Sequence, residues 1–468
     1  MRIPRTLLAT AVAVALTACA TTETRVPPVD LPPTTAATMP GLDRWWTQFN
    51  DPQLTALIEE ALAANLDLRI PIARIEEARA SLRLARSFQW PTLDADAGAA
   101  RTRRSDASDP RFPGPLINNS YGAGVNVAYE VDLWGRLAAG TSAAQSTLLG
   151  TRYSAETVRT VLAAQVASAY FQLLGYDAEL RLSRDTLATR VESVGLQKQR
   201  FDAGLVGDYE LRLAEAERAT VAGTVPPLER AVAQTEAAIA VLAGRSARGV
   251  FTPVVMRNPE LKVDEAGPVV PEGLPSDLLA RRPDIRQAET DLVAANARIT
   301  EARAQYFPAI SLTARLGSES SELGDLFSGP GVVWAVAGSL FQPIFNAGRI
   351  GSQVDAATSR REQAEYAYVR SVQAAFRDVH DALVAHRSAR ESYVAQEDRR
   401  AQFAEALRLA DLRYTAGYTT YLEVLDNQRN LLEAERARLL ALRARQAALV
   451  DLYQALGGGW SPEQFALR

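Results

Sequence analysis

Cysteine occurs once in 468 residues, at Cys19, which excludes an internal disulfide and a thiolate metal site. Histidine occurs twice, at His380 and His386. Six residues apart on a helical pattern, the two imidazoles do not share a face, so they make no metal pair. Lysine is confined to Lys198 and Lys262, and the net charge of -4 argues against a nucleic-acid partner. No apolar run reaches the ~18 residues that a transmembrane helix needs. Phosphate-cradling glycine loops, His-Glu metal motifs and nucleophile elbows are missing too. Nothing in the sequence therefore looks like an enzyme, and neither a metal nor a soluble cofactor is expected. Proline is absent from 116–225 and from 344–461. Those two gaps are where long helices can form.

What is present is repetition. RFDAG at 200–204 returns as RYTAG at 413–417, and Gly135-Arg136 returns as Gly348-Arg349, both 213 positions later. Trp90-Pro91 returns as Phe307-Pro308, and Asp67-Leu68-Arg69 as Asp284-Ile285-Arg286, both offset by 217. Four landmarks in constant order indicate two copies of one unit of about 200 residues. From the Gly-Arg pair to the repeated Ala-Gly is 68 residues in each half. As one helix that is about 100 Å, far beyond ordinary globular practice. Strong helix formers dominate these arms. In the second return arm Leu425, Leu432 and Leu439 are spaced by seven, as are Leu442, Leu449 and Leu456. That is a coiled-coil seam, closed by Gly457-Gly458-Gly459.

Shorter helices are predicted over 54–89 and 276–306, with Pro71 near the first turn of its segment. Stacked on the return arms, they would make each half a long hairpin with one unbroken and one broken leg. Pro226-Pro227 has no counterpart in the second half and predicts a kink or break in the first return arm. Between the helices the pattern turns to period two. Leu93, Ala95, Ala97 and Ala99 alternate, then Tyr121 through Val131 after a polar loop at 102–119. Ile310, Leu312 and Ala314, a Gly/Ser loop at 317–330, then Val332, Trp334, Val336 and Leu340 repeat the scheme. Such runs are the signature of membrane barrel strands; a soluble two-hairpin sheet would alternate in the same way. Four strands cannot close a membrane barrel, so the chain must assemble. Two copies give 8 strands and three give 12, and a ring of long helices around a water-filled bore favours three.

The N-terminus MRIPRTLLATAVAVALTAC has a charged start and an apolar run from Thr6 to Ala18. This is the layout of a secretory signal. It ends in Leu16-Thr17-Ala18-Cys19, which matches the bacterial lipoprotein cleavage box; the alternative is an ordinary signal peptide with an incidental cysteine. Ala20, in place of Asp, favours sorting to the outer membrane. Residues 26–40, with five prolines, read as an extended tether.

The segment WWTQFNDPQL (45–54), the lipoprotein box, the duplicated hairpins and RYTAGYTTYLEVLDNQR (413–429) together resemble TolC-like outer membrane factors. The nearest branch is that of the OprM/NodT efflux lipoproteins. The resemblance implies a mainly α fold with a β-barrel part: duplicated long helical hairpins forming an α-barrel tunnel, plus four membrane β-strands per chain. It further implies a homotrimer with a 12-stranded barrel, lipid-anchored in the outer membrane and reaching into the periplasm, with palmitate on Cys19. The corresponding division is a signal at 1–18, a tether at 19–40 and a first repeat at 41–250. An equatorial linker at 251–275, a second repeat at 276–457 and a tail at 458–468 follow. The implied partners are a periplasmic adaptor and an inner-membrane pump, commonly of the resistance-nodulation-division type. The implied activity is passive conduction of drugs or other small molecules to the exterior; the exit duct of a type I protein-secretion system is the alternative within the same fold. A periplasmic scaffold without a pore would have one hairpin and no paired amphipathic strands.

The resemblance also carries sites. The periplasmic tip, where an adaptor engages, maps to Arg200 and Gly204 and to Arg413 and Gly417. The gate maps to Leu422 and Asp426, with Arg413 beside it. Leu213 stands where the first half would have its own copy of Asp426, so only the second half supplies the carboxylate. Three Asp426 side chains about a threefold axis would make an anionic ring that favours cations or salt bridges. Read without the resemblance, Asp426 is a solvated helix carboxylate and Arg413 a cation suited to a helix C-terminus.

Overall fold

A computed structural model describes residues 42–105, 115–258 and 281–461. Cys19, the signal at 1–18, the tether at 19–40, most of the linker and the last residues of the tail lie outside the described residues. Eight α-helices and four strands are described. In chain order they are α1 (Pro52–Ala64), α2 (Leu66–Ser87), β1 (Thr92–Arg103), β2 (Ile117–Val131), α3 (Arg136–Asp202), α4 (Asp208–Leu242) and α5 (Ala247–Phe251), then α6 (Pro283–Ala304), β3 (Ala309–Ser320), β4 (Val332–Phe341), α7 (Arg349–Thr415) and α8 (Tyr421–Ala455). The two proline-free arms are single helices of 67 residues each, as their spacing predicts. The repeated glycines explain where they begin and end. Gly135, Gly204, Gly348 and Gly417 all have positive φ, from +71° to +82°, a region open to glycine and strained for other residues.

The chain forms two compact units. The first draws on Arg74–Thr151 and Gln287–Val369 and holds the sheet. Its strands are antiparallel in the order β1-β2-β3-β4. The register puts Leu93 opposite Val127, Val127 opposite Ala314, and Ala314 opposite Val336. One row along, Ala95, Val125, Leu316 and Trp334 align in the same way. All the residues that mark the period-two alternation therefore share one face. The other face carries Asp94, Asp96, Asn126, Thr313, Arg315 and Ser339. Among the described residues no second layer covers the apolar face: Trp334 is 75% exposed and Leu316 63%. Trp134 stacks on Phe307 at 4.8 Å and donates to the Pro308 carbonyl at 2.8 Å, which joins two repeated landmarks.

The second unit draws on Val29–Ala73, Arg152–Arg286 and Arg370–Arg468. WWTQFNDPQL is its keystone. Trp45 and Trp46 are fully buried, and Trp45 stacks on Tyr453 of α8 at 5.3 Å. Asp51 caps α1 by accepting from the amides of Gln53 (2.9 Å) and Leu54 (3.2 Å), and also receives the Tyr170 hydroxyl at 2.7 Å. Burial and that carboxylate push the Tyr170 phenol well above its ordinary value. Of the heptad leucines, Leu425, Leu432, Leu442, Leu449 and Leu456 are buried. Each such side chain contributes ~1.5–3 kcal/mol through burial.

The structure departs from the sequence reading in four places. The segment 54–89 is two helices, because Asn65 both ends α1 and caps α2 through the Leu68 amide at 3.2 Å. Pro71 consequently sits six residues into α2, just past its first turn. α4 runs through Pro226-Pro227 without a break. Both prolines are exposed, and the carbonyls they leave without an N–H partner, at Ala222 and Gly223, lie on a partly open stretch that water can serve. Finally, strands enter both stretches read as loop: β1 runs to Arg103 and β2 starts at Ile117, which pair with each other, and β3 extends to Ser320, because Gly317 and Ser318 pair directly with Gly124 and Ala123.

Candidate functional site

The expected site begins with the ends of α3 and α7. In the first hairpin the Gly204 amide donates to the Phe201 carbonyl at 2.8 Å, and the Leu205 amide to the Arg200 carbonyl at 2.8 Å. In the second, Gly417 donates to Tyr414 at 3.0 Å and Tyr418 to Arg413 at 2.8 Å. Both are Schellman closures with glycine in the left-handed position. The repeated Arg-aromatic-x-Ala-Gly is thus a backbone device, in which the arginine supplies the carbonyl that takes the last bond.

The arginine side chains behave differently in the two copies. Arg200 reaches out of its own hairpin to the Tyr414 hydroxyl, with its guanidinium 5.4 Å from that ring's centroid. Arg413 stays local, pairing with Glu423 of α8 at 2.5 Å, and Thr419 donates to the same carboxylate. The second turn is therefore tied across both of its ends. At the first, the Gly207 amide donates to Glu210 at 3.1 Å, within the start of α4. Beneath the turns, Ala214, Tyr421 and Leu425 form a buried knot with Val194, Leu213 and Tyr414 packed around it. Leu213, the non-acidic counterpart of Asp426, is one of its walls.

Leu422 and Asp426 follow Tyr421 and Leu425 by one residue each, and the helical period turns them out of that knot. They are 43% and 54% exposed, respectively. Asp426 lies 3.3 Å from Arg429 on its own helix. Arg429 in turn donates from Nε to Glu217 of α4 at 2.8 Å, which links the return helices of the two repeats. Arg190, nearly fully buried in α3, donates to Gln428, and its burial depresses its pKa. Arg190, Glu217, Gln428 and Arg429 were not singled out by sequence. None of them recurs at the 213-residue offset, so the repeat that exposed the glycines gives no signal for them. No cluster of three or more metal-ligating side chains occurs among the described residues. Nor is any described helix long and apolar enough to cross a membrane.

Comparison with known proteins agrees with this architecture. The family model for outer membrane efflux proteins matches residues 57–245 and 274–458. The solvent efflux pump outer membrane protein SrpC of Pseudomonas putida is 36% identical over 416 residues, covering 89% of this chain and 87% of SrpC. The cation efflux system protein CusC of Escherichia coli is 33% identical over 423 residues, with 89% and 88% covered. Among solved structures, the Campylobacter jejuni CmeC outer membrane channel is similar with a TM-score of 0.85 at 25% identity, covering 94% of this chain and 97% of CmeC. With two matched repeats, paired long hairpins and a two-faced sheet, the chain belongs to the outer membrane efflux protein family and is a TolC-like exit channel of the outer membrane.

Proposed function

We propose that three copies of the chain join sheet edge to sheet edge into a 12-stranded barrel, apolar face to lipid and polar face to water. The observation that carries this reading is the two-faced sheet with β1 and β4 at its outer edges. An open strand edge in lipid leaves backbone groups unsatisfied at several kcal/mol each, and four strands are too few to close. In this reading the assembly is the exit duct of a tripartite system. An inner-membrane pump of the resistance-nodulation-division type delivers cargo, and a periplasmic adaptor engages the turns at Arg200, Gly204, Arg413 and Gly417. Leu422 and Asp426 from the three chains narrow the bore at that end, and a lipid on Cys19 adds a membrane anchor. The names of SrpC and CusC, solvent and cation efflux proteins, support small molecules as cargo.

The test is the mass and conductance of the detergent-purified protein. The expected result is a complex of about three 50.7 kDa chains that conducts ions across a planar bilayer. A stable monomer without conductance would refute the reading.

A further inference from the structure

The polar face of the sheet contains a bridge that spans three strands. Arg315 on β3 reaches over β2 to Asp96 on β1, Nη1 to Oδ1 and Nη2 to Oδ2, both at 3.1 Å. Asn126 on β2 closes the figure: its Nδ2 donates to Asp96 Oδ1 at 2.6 Å, and its Oδ1 accepts from Arg315 Nη1 at 3.2 Å. Each of these four contacts pairs a donor with an acceptor, while Arg315 Nε stays buried without a partner, and the fork geometry suits a guanidinium and a carboxylate. The path exists because β2 has no side chain in the way. A Cβ at Gly124 would lie 3.3 Å from Arg315 Nη2 and 3.4 Å from its Cζ, so this glycine leaves the berth in which the guanidinium rests. Two strand spacings, ~10 Å, are crossed by one side chain.

The charges around the bridge are not balanced. Asp94 and Glu319 share the polar face with Asp96, while Arg315 is the only cation among the described residues in the middle of that face. Glu130, nearer the helices, is held by Arg136 at 2.8 Å. Three carboxylates against one guanidinium leave two negative charges per chain.

We propose that Arg315 sets the charge preference of the barrel bore: pinned across three strands by Asp96 and Asn126, it limits an otherwise strongly anionic wall that favours cationic over anionic solutes. The proposal rests on the reading that the polar face lines the bore. Removing Arg315 leaves three negative charges per chain, removing Asp96 leaves one, and removing both restores two. The ordering of the variants is therefore fixed by the bridge.

The test measures local potential, so that a constriction elsewhere in the channel does not dominate it. Ala337→Cys on β4 places a thiol on the polar face, opposite Thr313 and diagonal to Arg315. In reconstituted protein at low salt, its reaction with cationic trimethylammonium-ethyl and anionic sulfonatoethyl methanethiosulfonates is followed by mass spectrometry of the peptide bearing residue 337. One unit charge ~10 Å away in water changes each reagent's local concentration about two-fold, in opposite directions. Arg315→Gln should thus raise the cation-to-anion rate ratio about four-fold, and Asp96→Asn should lower it by a similar factor. The double variant should return near the parent, and Arg315→Lys should stay there even if the glutamine variant fails to assemble. Equal ratios in Arg315→Gln and Asp96→Asn would overturn the assignment. Aqueous labelling of Val336→Cys without labelling of Ala337→Cys would overturn its premise instead, by inverting the faces.

Discussion

Four glycines in the second unit share a left-handed φ and differ in their surroundings, which makes a controlled experiment. Gly204, Gly244, Gly417 and Gly457 all have φ between +69° and +82°. Alanine in that region costs ~1–2 kcal/mol in strain, with a few tenths recovered through a stiffer unfolded chain. At Gly204 and Gly417 nothing lies within 4 Å of a new Cβ, so strain is the whole penalty, about 1 kcal/mol. At Gly244 the Cβ would lie 2.4 Å from the Ala64 carbonyl oxygen, 2.5 Å from its carbon and 2.8 Å from the Asn65 amide. That backbone has little freedom to yield, because Asn65 caps α2 and donates from Nδ2 to the Leu242 carbonyl at 2.8 Å. Overpacking adds ~1–3 kcal/mol, giving a total of about 2–5 kcal/mol. The assay is the apparent melting midpoint by circular dichroism in detergent at a fixed scan rate, since unfolding of such a protein is under kinetic control. Gly204→Ala and Gly417→Ala should fall by about 1–2 °C and Gly244→Ala by several degrees more. Asparagine, which tolerates the left-handed region, should recover most of the loss at 204 and 417. If Gly204→Ala fell as far as Gly244→Ala, or if Gly244→Ala melted with the parent, the steric reasoning would fail.

Other consequences are equally direct. Burial first, then Arg445 of α8 and Arg390 of its own helix, holds the His386 pKa below the ordinary 6.5. Above pH 6.5 both folded and unfolded imidazoles are neutral; below it the unfolded chain takes the proton more readily, so folded stability falls toward the depressed value. Relative to His386→Gln, the parent should therefore lose melting midpoint as pH drops from 7 to 5, and parallel curves would contradict this. Asp426→Ala should raise single-channel conductance in planar bilayers, with parental conductance counting against the gate. Cys19→Ser should abolish incorporation of radioactive palmitate, and undiminished labelling would refute lipidation at that residue.

The parts of the fold legible in the sequence are those fixed by local geometry. Glycine in the left-handed region, leucine every seventh residue and alternation along strands each leave a mark within a short window. They located the hairpin turns, the coiled-coil seam and the two faces of the sheet. The misreadings came from longer reach. Asn65 caps α2 locally, but its Nδ2 is held by the Leu242 carbonyl of α4, a contact that no motif within 54–89 announces. Likewise Glu217 and Arg429 are 212 residues apart, and Arg315 and Asp96 are 219 apart. Which acid meets which base across such distances depends on packing that composition does not encode.

The Schellman closures bear on how the two halves came to differ. Because main-chain groups make the turn, duplication needed to preserve only one glycine per hairpin, and the neighbouring letters were released from duty at the corner. Phe201 and Asp202 stand where the other copy has Tyr414 and Thr415. Only Tyr414 carries the hydroxyl that Arg200 grips from the opposite hairpin. The copies have thus become complementary parts: a chain built from two first repeats would turn both corners correctly, yet it would lack the clasp between them.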